Sequence, residues 1–550
     1  MSTSCYTGQC VVVFGTASLQ QYIFQSNRLK ENIGASYLAK HWLGEALVTV
    51  TGADATKWKK YEKNPWRDQP ENSMAKDKPI NVIYIGGGNA ALLCENKCIA
   101  KKAVKKWSRK VLKNAPGLRV VVGYGEVCED KSLAEAYRAG LDALNHCEEA
   151  LPFGSTLHSL PVVRPCISTG LPASESRTEP DEGNQWISQS AASKRDQVSF
   201  RGEPGAAQEH IKDKFPSVLE QTERLPKLNR FAIKLDEELG GRKGESHIAV
   251  VHADGNGMGD LLNQVIDKED QRDNEFLHNL RAFSASTSYL SHKALEDTLL
   301  YFKDFLPLKK SLNNPDYIFP LRPIVFGGDD LTFVCDGRVG LHLTAYYLQQ
   351  FANGKINFCG DKISVDACAG VAIVHTKFPF ARAYSFADDL CGKAKLHRRY
   401  EANLKGSWLE FQIIQEGATR SITDLRETQY HTGKGQILPQ RPYEVPTAWE
   451  DFVKLLQKFK TEWPRSRAKG LLQVLTQGPT ATKHFVSGAK WNEDGIPSVE
   501  NTPDIVCTTG WTSETPGATT PYFDPLEALD FYLEELFPKE KDNNKKENGE

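Results

Sequence analysis

The sequence predicts an α+β protein made of two units of like topology followed by a helical domain. Three observations carry that expectation. A short apolar strand, a helical stretch, a glycine-turned hairpin, a second helix and a closing strand follow one another within residues 1–150. The same order recurs within 246–420, and beyond 420 the apolar spacing is that of helices alone. Antiparallel hairpins joined by crossover helices form ferredoxin-like sandwiches, and the recurrence reads as an internal duplication. A chain of 550 residues also exceeds what one core usually supports.

In the first unit the spacing predicts a strand over Cys10 to Phe14 and a helical pattern through Tyr22, Ile23 and Leu29. A hairpin follows, from Asn81 to Ile85, through Gly86-Gly87-Gly88-Asn89, to Ala90 to Cys94. A helix through Trp107 and Val111 and a strand over Leu118 to Val122 complete it. Residues 151–245 read as a connector: 170–207 collect Pro, Ser, Gly, Glu and Arg without an apolar repeat, the pattern of an irregular insert. In the second unit Ile248 to Val251 leads into HADGNGMGD, and a long helix carries Phe276, Leu280, Phe283 and Leu290. Pro323 to Phe326 then turns at Gly327-Gly328-Asp329-Asp330 into Leu331 to Val334, before a helix over Val339 to Phe351, a strand over Ile363 to His375 and a helix over Phe386 to Lys395. Residues 421–538 form the helical domain, with Phe452, Leu455, Leu456 and Phe459 on one stripe, and 539–550 read as a disordered tail.

Composition excludes several classes. With 68 Lys and Arg against 70 Asp and Glu, the net charge of -2 gives no global attraction to nucleic acid or anionic lipid, so any polyanion site must be local. The amino terminus lacks a signal-peptide pattern and no stretch reaches the length of a membrane span, which implies a cytoplasmic protein without a membrane partner. Twelve scattered cysteines with no CxxC pair point to reduced thiols.

The chemistry concentrates in the second unit. Asp254 ends its first strand, and Asp329 and Asp330 sit at the turn of its hairpin; a ferredoxin-like sheet puts that strand beside that hairpin, so the three carboxylates can meet at one sheet edge. Hard oxygen donors suit Mg²⁺ or Mn²⁺ bridging to nucleotide phosphates. Gly327 and Gly328, and Gly255-Asn256-Gly257 after the strand, let backbone approach a triphosphate closely. Lys395, on the helix after the last strand, can neutralise β and γ phosphates.

These residues resemble the palm shared by GGDEF nucleotide cyclases and the large polymerase-like subunit of type III CRISPR effector complexes. The resemblance implies metal ligation by Asp254, Asp329 and Asp330, triphosphate binding by Lys395 within Ala387-Asp388 and Ala394-Lys395, and two palm domains, of which only the second carries GGDD. It extends to Gln20, Phe24, Asn27-Arg28-Leu29-Lys30 and Gly34-Ala35-Ser36, and to Arg441-Pro442-Tyr443 and Trp463-Pro464-Arg465-Ser466-Arg467 at the start of the helical domain. The first palm departs from the pattern: Gly15-Thr16 stands where a metal-binding aspartate belongs, and GGGN replaces GGDD. The chain has no His-Asp dipeptide for the family's HD nuclease, and Cys166 stands alone where a zinc-binding cluster is expected. The implied function is a metal-dependent nucleotidyltransferase that joins nucleoside triphosphates, ATP foremost, into a cyclic or short oligonucleotide signal in antiviral defence. A nucleotide- or RNA-binding scaffold among CRISPR-type effector subunits, without turnover, is the alternative. A diguanylate cyclase is a further one, weakened because Leu331 follows GGDD where that family has GGDEF-Phe.

Other features are weaker. The basic stretch Lys101-Lys102, Lys105-Lys106, Arg109-Lys110 and Lys113 reads first as the solvated face of an amphipathic helix. Cys94 and Cys98 lack a second pair and read as free cysteines, and His252, two residues before Asp254, is a candidate base that metal activation makes unnecessary.

Overall fold

The computed structural model describes residues 6–67, 78–150, 162–179, 183–200, 203–222, 227–239, 246–306, 318–403, 405–414, 421–488, 496–500 and 502–538. The tail expected at 539–550 lies outside them.

The first unit comprises β1 (Cys10–Thr16), α1 (Leu29–Leu43), β2 (Ile80–Gly86), β3 (Asn89–Cys94), α2 (Lys97–Asn114), β4 (Val120–Glu126) and α3 (Leu133–Ala150). Its sheet has the antiparallel order β2-β3-β1-β4. The unbroken apolar run of β1 follows from cover on both faces. Phe14 packs edge-on to Trp107 of α2 at 5.0 Å, while Val13 lies against Gly140 of α3. The Asn96 side chain accepts from the Ile99 N–H at 3.0 Å and so caps α2.

The second unit repeats that order with β5 (His247–Gly255), the long α5 (Asp273–Phe305), β6 (Leu321–Val325), β7 (Leu331–Asp336), α6 (Gly340–Asn353), β8 (Ala367–His375) and α7 (Phe380–Tyr400). Its sheet runs β6-β7-β5-β8 and then continues through β9 (Ser407–Ile413) and β10 (Tyr443–Val445). The strand expected over Ile363 to His375 is two: Asp361–Ser364 closes a small hairpin with Lys355–Phe358, and β8 begins at Ala367. In both units glycines on the fourth strand let the next helix lie almost against it. A Cβ on Gly123 would stand 1.8 Å from the Gly140 carbonyl oxygen, and one on Gly370 2.0 Å from that of Ala387.

Two expectations need correction. The connector is ordered over much of its described length: Glu175–Glu179 pairs with Gly183–Ile187, and α4 (Gln189–Asp196) packs on α1 so closely that Gly34 has no room for a Cβ beside the Lys194 carbonyl. The signal was hidden because these strands hold register by backbone pairing and because α4 buries charge. Arg195 meets Glu31 at 2.8 Å with both side chains almost fully enclosed, and Lys194 donates to the Tyr22 carbonyl at 2.8 Å. The carboxy-terminal region is mainly helical, yet its β10 extends the second sheet. Arg441, fully enclosed, ties the two together by pairing with Glu527 at 2.7 Å and lying over the Phe411 ring at 4.3 Å.

The two units pack directly. Arg281 of α5 donates to the Val82 and Ile83 carbonyls, each at 2.9 Å, and so satisfies the irregular edge of β2. Ser36 of α1 donates to the Ile324 carbonyl at 2.5 Å. No described helix is long and apolar enough to cross a membrane.

Candidate active site

Asp254 stands near the carboxyl end of β5, the strand central to the second palm-like sheet. Ala253 pairs with Leu331, so the Asp329-Asp330 turn opens immediately beside it. Asp254 and Asp330 come within hydrogen-bonding reach of one another. The approach of the turn depends on Gly255, where a Cβ would sit 3.0 Å from the Asp329 Cβ. Burial first, and then the Asp254 charge, push the Asp329 carboxyl up to about 6; burial, Asp254 and Asp329 push Asp330 well above the usual carboxylate range.

Lys395 of α7 donates to Asp254 and, at 3.4 Å, to the Gly255 carbonyl. Burial pulls its proton affinity down, but the Asp254 carboxylate outweighs this and leaves it above the ordinary lysine value. Asn256 is turned elsewhere: its amide donates to Asp366 at 2.8 Å, and Asp366 is held by Arg398 at 2.9 Å, so Asn256 fixes the loop through its side chain. Gly257 has φ +69° at the start of the following helix, a conformation that favours glycine.

Gly327 and Gly328 open onto the first unit. Gly327 has φ +115°, and a Cβ there would meet the Lys40 ammonium at 3.1 Å; a Cβ on Gly328 would lie 2.8 Å from the Gly87 Cα. The two glycine turns of the duplicated units therefore face each other across the junction. Between them lies a cleft of about 330 Å³ bordered by Lys40, Gly87, Lys214, Ser288, Asp329 and Asp330. A second recess, of about 640 Å³, lies beside Asp254 and Lys395 and reaches Asp388, Lys393 and Thr423. The carboxylates thus sit at the meeting point of two hollows, each large enough for part of a nucleotide.

Lys40 and Lys214 were not legible as site residues. Lys40 follows the Gly34-Ala35-Ser36 motif by one turn, but only the packing of α1 on the second unit brings its ammonium to the Phe326 carbonyl, at 3.3 Å, and over the Phe326 ring, at 4.2 Å. His252 is enclosed, with Nδ1 3.3 Å from the Thr332 hydroxyl and Nε2 3.4 Å from Asp388; burial lowers its proton affinity. The first unit has no carboxylate at the matching place. By register Gly15 corresponds to Asp254, and a Cβ on it would already meet Asn89 at 3.0 Å and Leu144 at 3.2 Å. Cys94 is buried, Cys98 exposed, and both thiols are free, as is that of Cys166.

The donors fit a hard divalent cation in chemistry, since three mutually repelling carboxylates gain from a shared positive charge. Among the described residues no three-membered group of His, Cys, Asp or Glu is closed enough to form a finished cage, and Lys395 occupies the Asp254 carboxylate.

Residues 247–402 match the family described as Cas10/Cmr2, second palm domain. Among solved structures, the chain is similar to the Csm1-Csm4 cassette in complex with cA4, at a TM-score of 0.51 and 10% identity over 95% of this chain and 69% of that one. The cassette in complex with cA3 matches at 0.50 and 10% identity over 97% and 70%. Csm1 in T.onnurineus matches at 0.50 and 10% identity over 95% and 69%. At such identity the likeness is one of fold. No curated protein sequence matches this chain.

Proposed function

We propose that this chain, a Cas10-like palm protein by its second unit and its fold, is a metal-dependent nucleotidyltransferase that joins nucleoside triphosphates in the cleft between its two units. One observation carries the reading: Asp254, Asp329 and Asp330 gather beside two glycine turns that face each other across a nucleotide-sized hollow. Asp254, Asp329 and Asp330 would hold Mg²⁺ or Mn²⁺. Those ions would polarise the α-phosphate, ease deprotonation of the attacking hydroxyl and stabilise the leaving pyrophosphate. Gly327 and Gly328 admit the phosphates without a side chain in the way, and Lys395, on leaving Asp254, neutralises the triphosphate tail. Lys40 brings a further amine from the first unit; burial first and then the Lys214 charge push its ammonium down to about 7, so a bound phosphate would favour its cationic form. ATP is the proposed substrate and a cyclic or short oligoadenylate the product, because the similar folds are those of proteins crystallised with cA4 and cA3. A Csm4-like subunit is the proposed partner on the same grounds.

The test is incubation of the protein with each labelled ribonucleoside triphosphate and Mg²⁺ or Mn²⁺, with products identified by mass spectrometry. An oligonucleotide made by the wild type and absent with Lys395→Ala, or strongly reduced, supports the assignment. Product formation unaffected by both Lys395→Ala and Asp254→Asn would end it. A second reading, nucleotide held without turnover, draws on the Lys395–Asp254 pair, which closes the carboxylate to a cation. It requires saturable ATP binding, measured calorimetrically, with no product under any divalent ion.

A further inference from the structure

We infer that the outer face of α2 (Lys97–Asn114) is a binding surface for the phosphodiester backbone of nucleic acid, separate from the candidate active site. The helix carries Lys97, Lys101, Lys102, Lys105, Lys106, Arg109, Lys110 and Lys113 and not one acidic residue, in a chain whose net charge is -2. Its other face is spent on the core: Ala100, Ala103, Trp107 and Val111 are buried, and Trp107 donates to the Trp42 carbonyl at 2.8 Å. All eight cations are exposed. Among the described residues only Lys97 has an ion-pair partner, Glu126 at 2.5 Å.

A merely solvated face would be arranged differently. Amphipathic helices usually mix both signs, with acids near the amino end where the helix dipole favours them. Here Lys97, Lys101, Lys105 and Arg109 form one row at four-residue spacing, and Lys102, Lys106 and Lys110 a second. Every such like-charge neighbour opposes the helix, and cations occupy its first turns against the dipole. A polyanion laid along the face removes that repulsion. The 18-residue helix is ~27 Å long, which matches about eight phosphates of one strand at ~3.4 Å each. A recess of about 420 Å³ among Lys97, Cys98, Lys101, Lys102 and Lys105 offers a seat for one of them. The face presents no exposed aromatic ring, so it holds backbone and does not read bases.

The full-length protein is titrated against fluorescent single-stranded and duplex RNA and DNA at several salt concentrations, beside the variant Lys101→Gln, Lys102→Gln, Lys105→Gln, Lys106→Gln. Four exposed lysines elsewhere, Lys434, Lys454, Lys469 and Lys483, are changed to Gln as a charge-matched control. The expected result is sequence-independent binding by wild type whose log–log salt slope falls by about 3 in the α2 variant with single strands, at ~0.7 per cation removed. The control should keep the wild-type slope, and so should Asp329→Ala, Asp330→Ala, so that failure of the catalytic assignment and of this one are told apart. Comparing the four nucleic acids identifies the form bound. Thermal melts should show the α2 variant folded and no less stable; if it fails to fold, Lys105→Gln, Lys106→Gln serves with about half the slope change. Equal slopes for the α2 variant and wild type, or no binding by wild type at low salt, overturn the inference. Polyglutamate held as tightly as RNA of equal charge would overturn it in favour of an acidic polypeptide.

Discussion

The two units share one topology and divide the chemistry unequally. In the second, β5 ends in Asp254 and the hairpin turns at Asp329 and Asp330; in the first, the matching strand carries Gly15 and the matching turn ends in Asn89. The difference is steric as well as chemical. Asn89 and Leu144 already fill the space a side chain at Gly15 would take, whereas the corresponding space around Asp254 opens to a cavity. A ferredoxin-like sheet therefore does not itself make a site. What makes this one is a vacancy at the sheet edge, kept open by Gly255, in which like charges are forced together.

The largest effect expected from breaking this contrast is loss of all product in Asp329→Ala, Asp330→Ala, with the melting temperature unchanged or raised. Asn89→Ala, the first-unit counterpart, should leave turnover within about twofold. Next in size is Gly370→Ala, which would press a methyl into the Ala387 carbonyl and should destabilise by about 3 kcal/mol in a denaturant titration. It also displaces α7 and with it Lys395, so activity should fall beyond what stability explains.

A smaller effect concerns pH. The Asp329 carboxyl is raised from 3.8 to about 6, so the folded state binds more protons than the unfolded one between those values. Its contribution to stability is then full below about 3.8 and lost as pH rises through about 6. In chelator-treated protein, wild type should lose about 2 kcal/mol relative to Asp329→Asn between pH 4 and pH 7. Mg²⁺ at pH 7 should return part of it to wild type alone. The first unit has no titrating group at the matching site, and Asn89→Ala should leave the profile unaltered. The smallest effect is Gly392→Ala on the exposed side of α7, where a Cβ meets nothing within 4 Å; it should stabilise by about 1 kcal/mol on helix propensity alone.

Both hairpins, the duplicated order and the carboxylate triad were legible because each rests on local signals: apolar strands, glycine turns and acids placed just after them. What escaped depends on contacts distant in sequence. In β9 Leu409, Phe411 and Ile413 alternate with Glu410 and Gln412 as in a half-exposed strand, yet both polar residues are buried, Glu410 paired with Arg426 at 2.8 Å, so the buried polar face gives no core signal in the sequence. α4 hides in a polar stretch because its buried Arg195 is answered by Glu31 more than 160 residues away. The backbone expected to be free at Asn256 is tied down, since its N–H donates to the Asp366 carbonyl at 2.9 Å and its side-chain amide to the Asp366 carboxylate at 2.8 Å, and Lys40 becomes a site residue only through the docking of the units.

The approach of Gly328 to Gly87 has a mechanical consequence. Main chain faces main chain there, with no side chain between to bend or change rotamer, and a single methyl on Gly328 would fall 2.8 Å from the opposite Cα. Such a contact has no slack. A shift of the first unit by even a fraction of an ångström is handed on undamped to the turn that holds Asp329 and Asp330, and whatever grips the first unit grips the carboxylates as well.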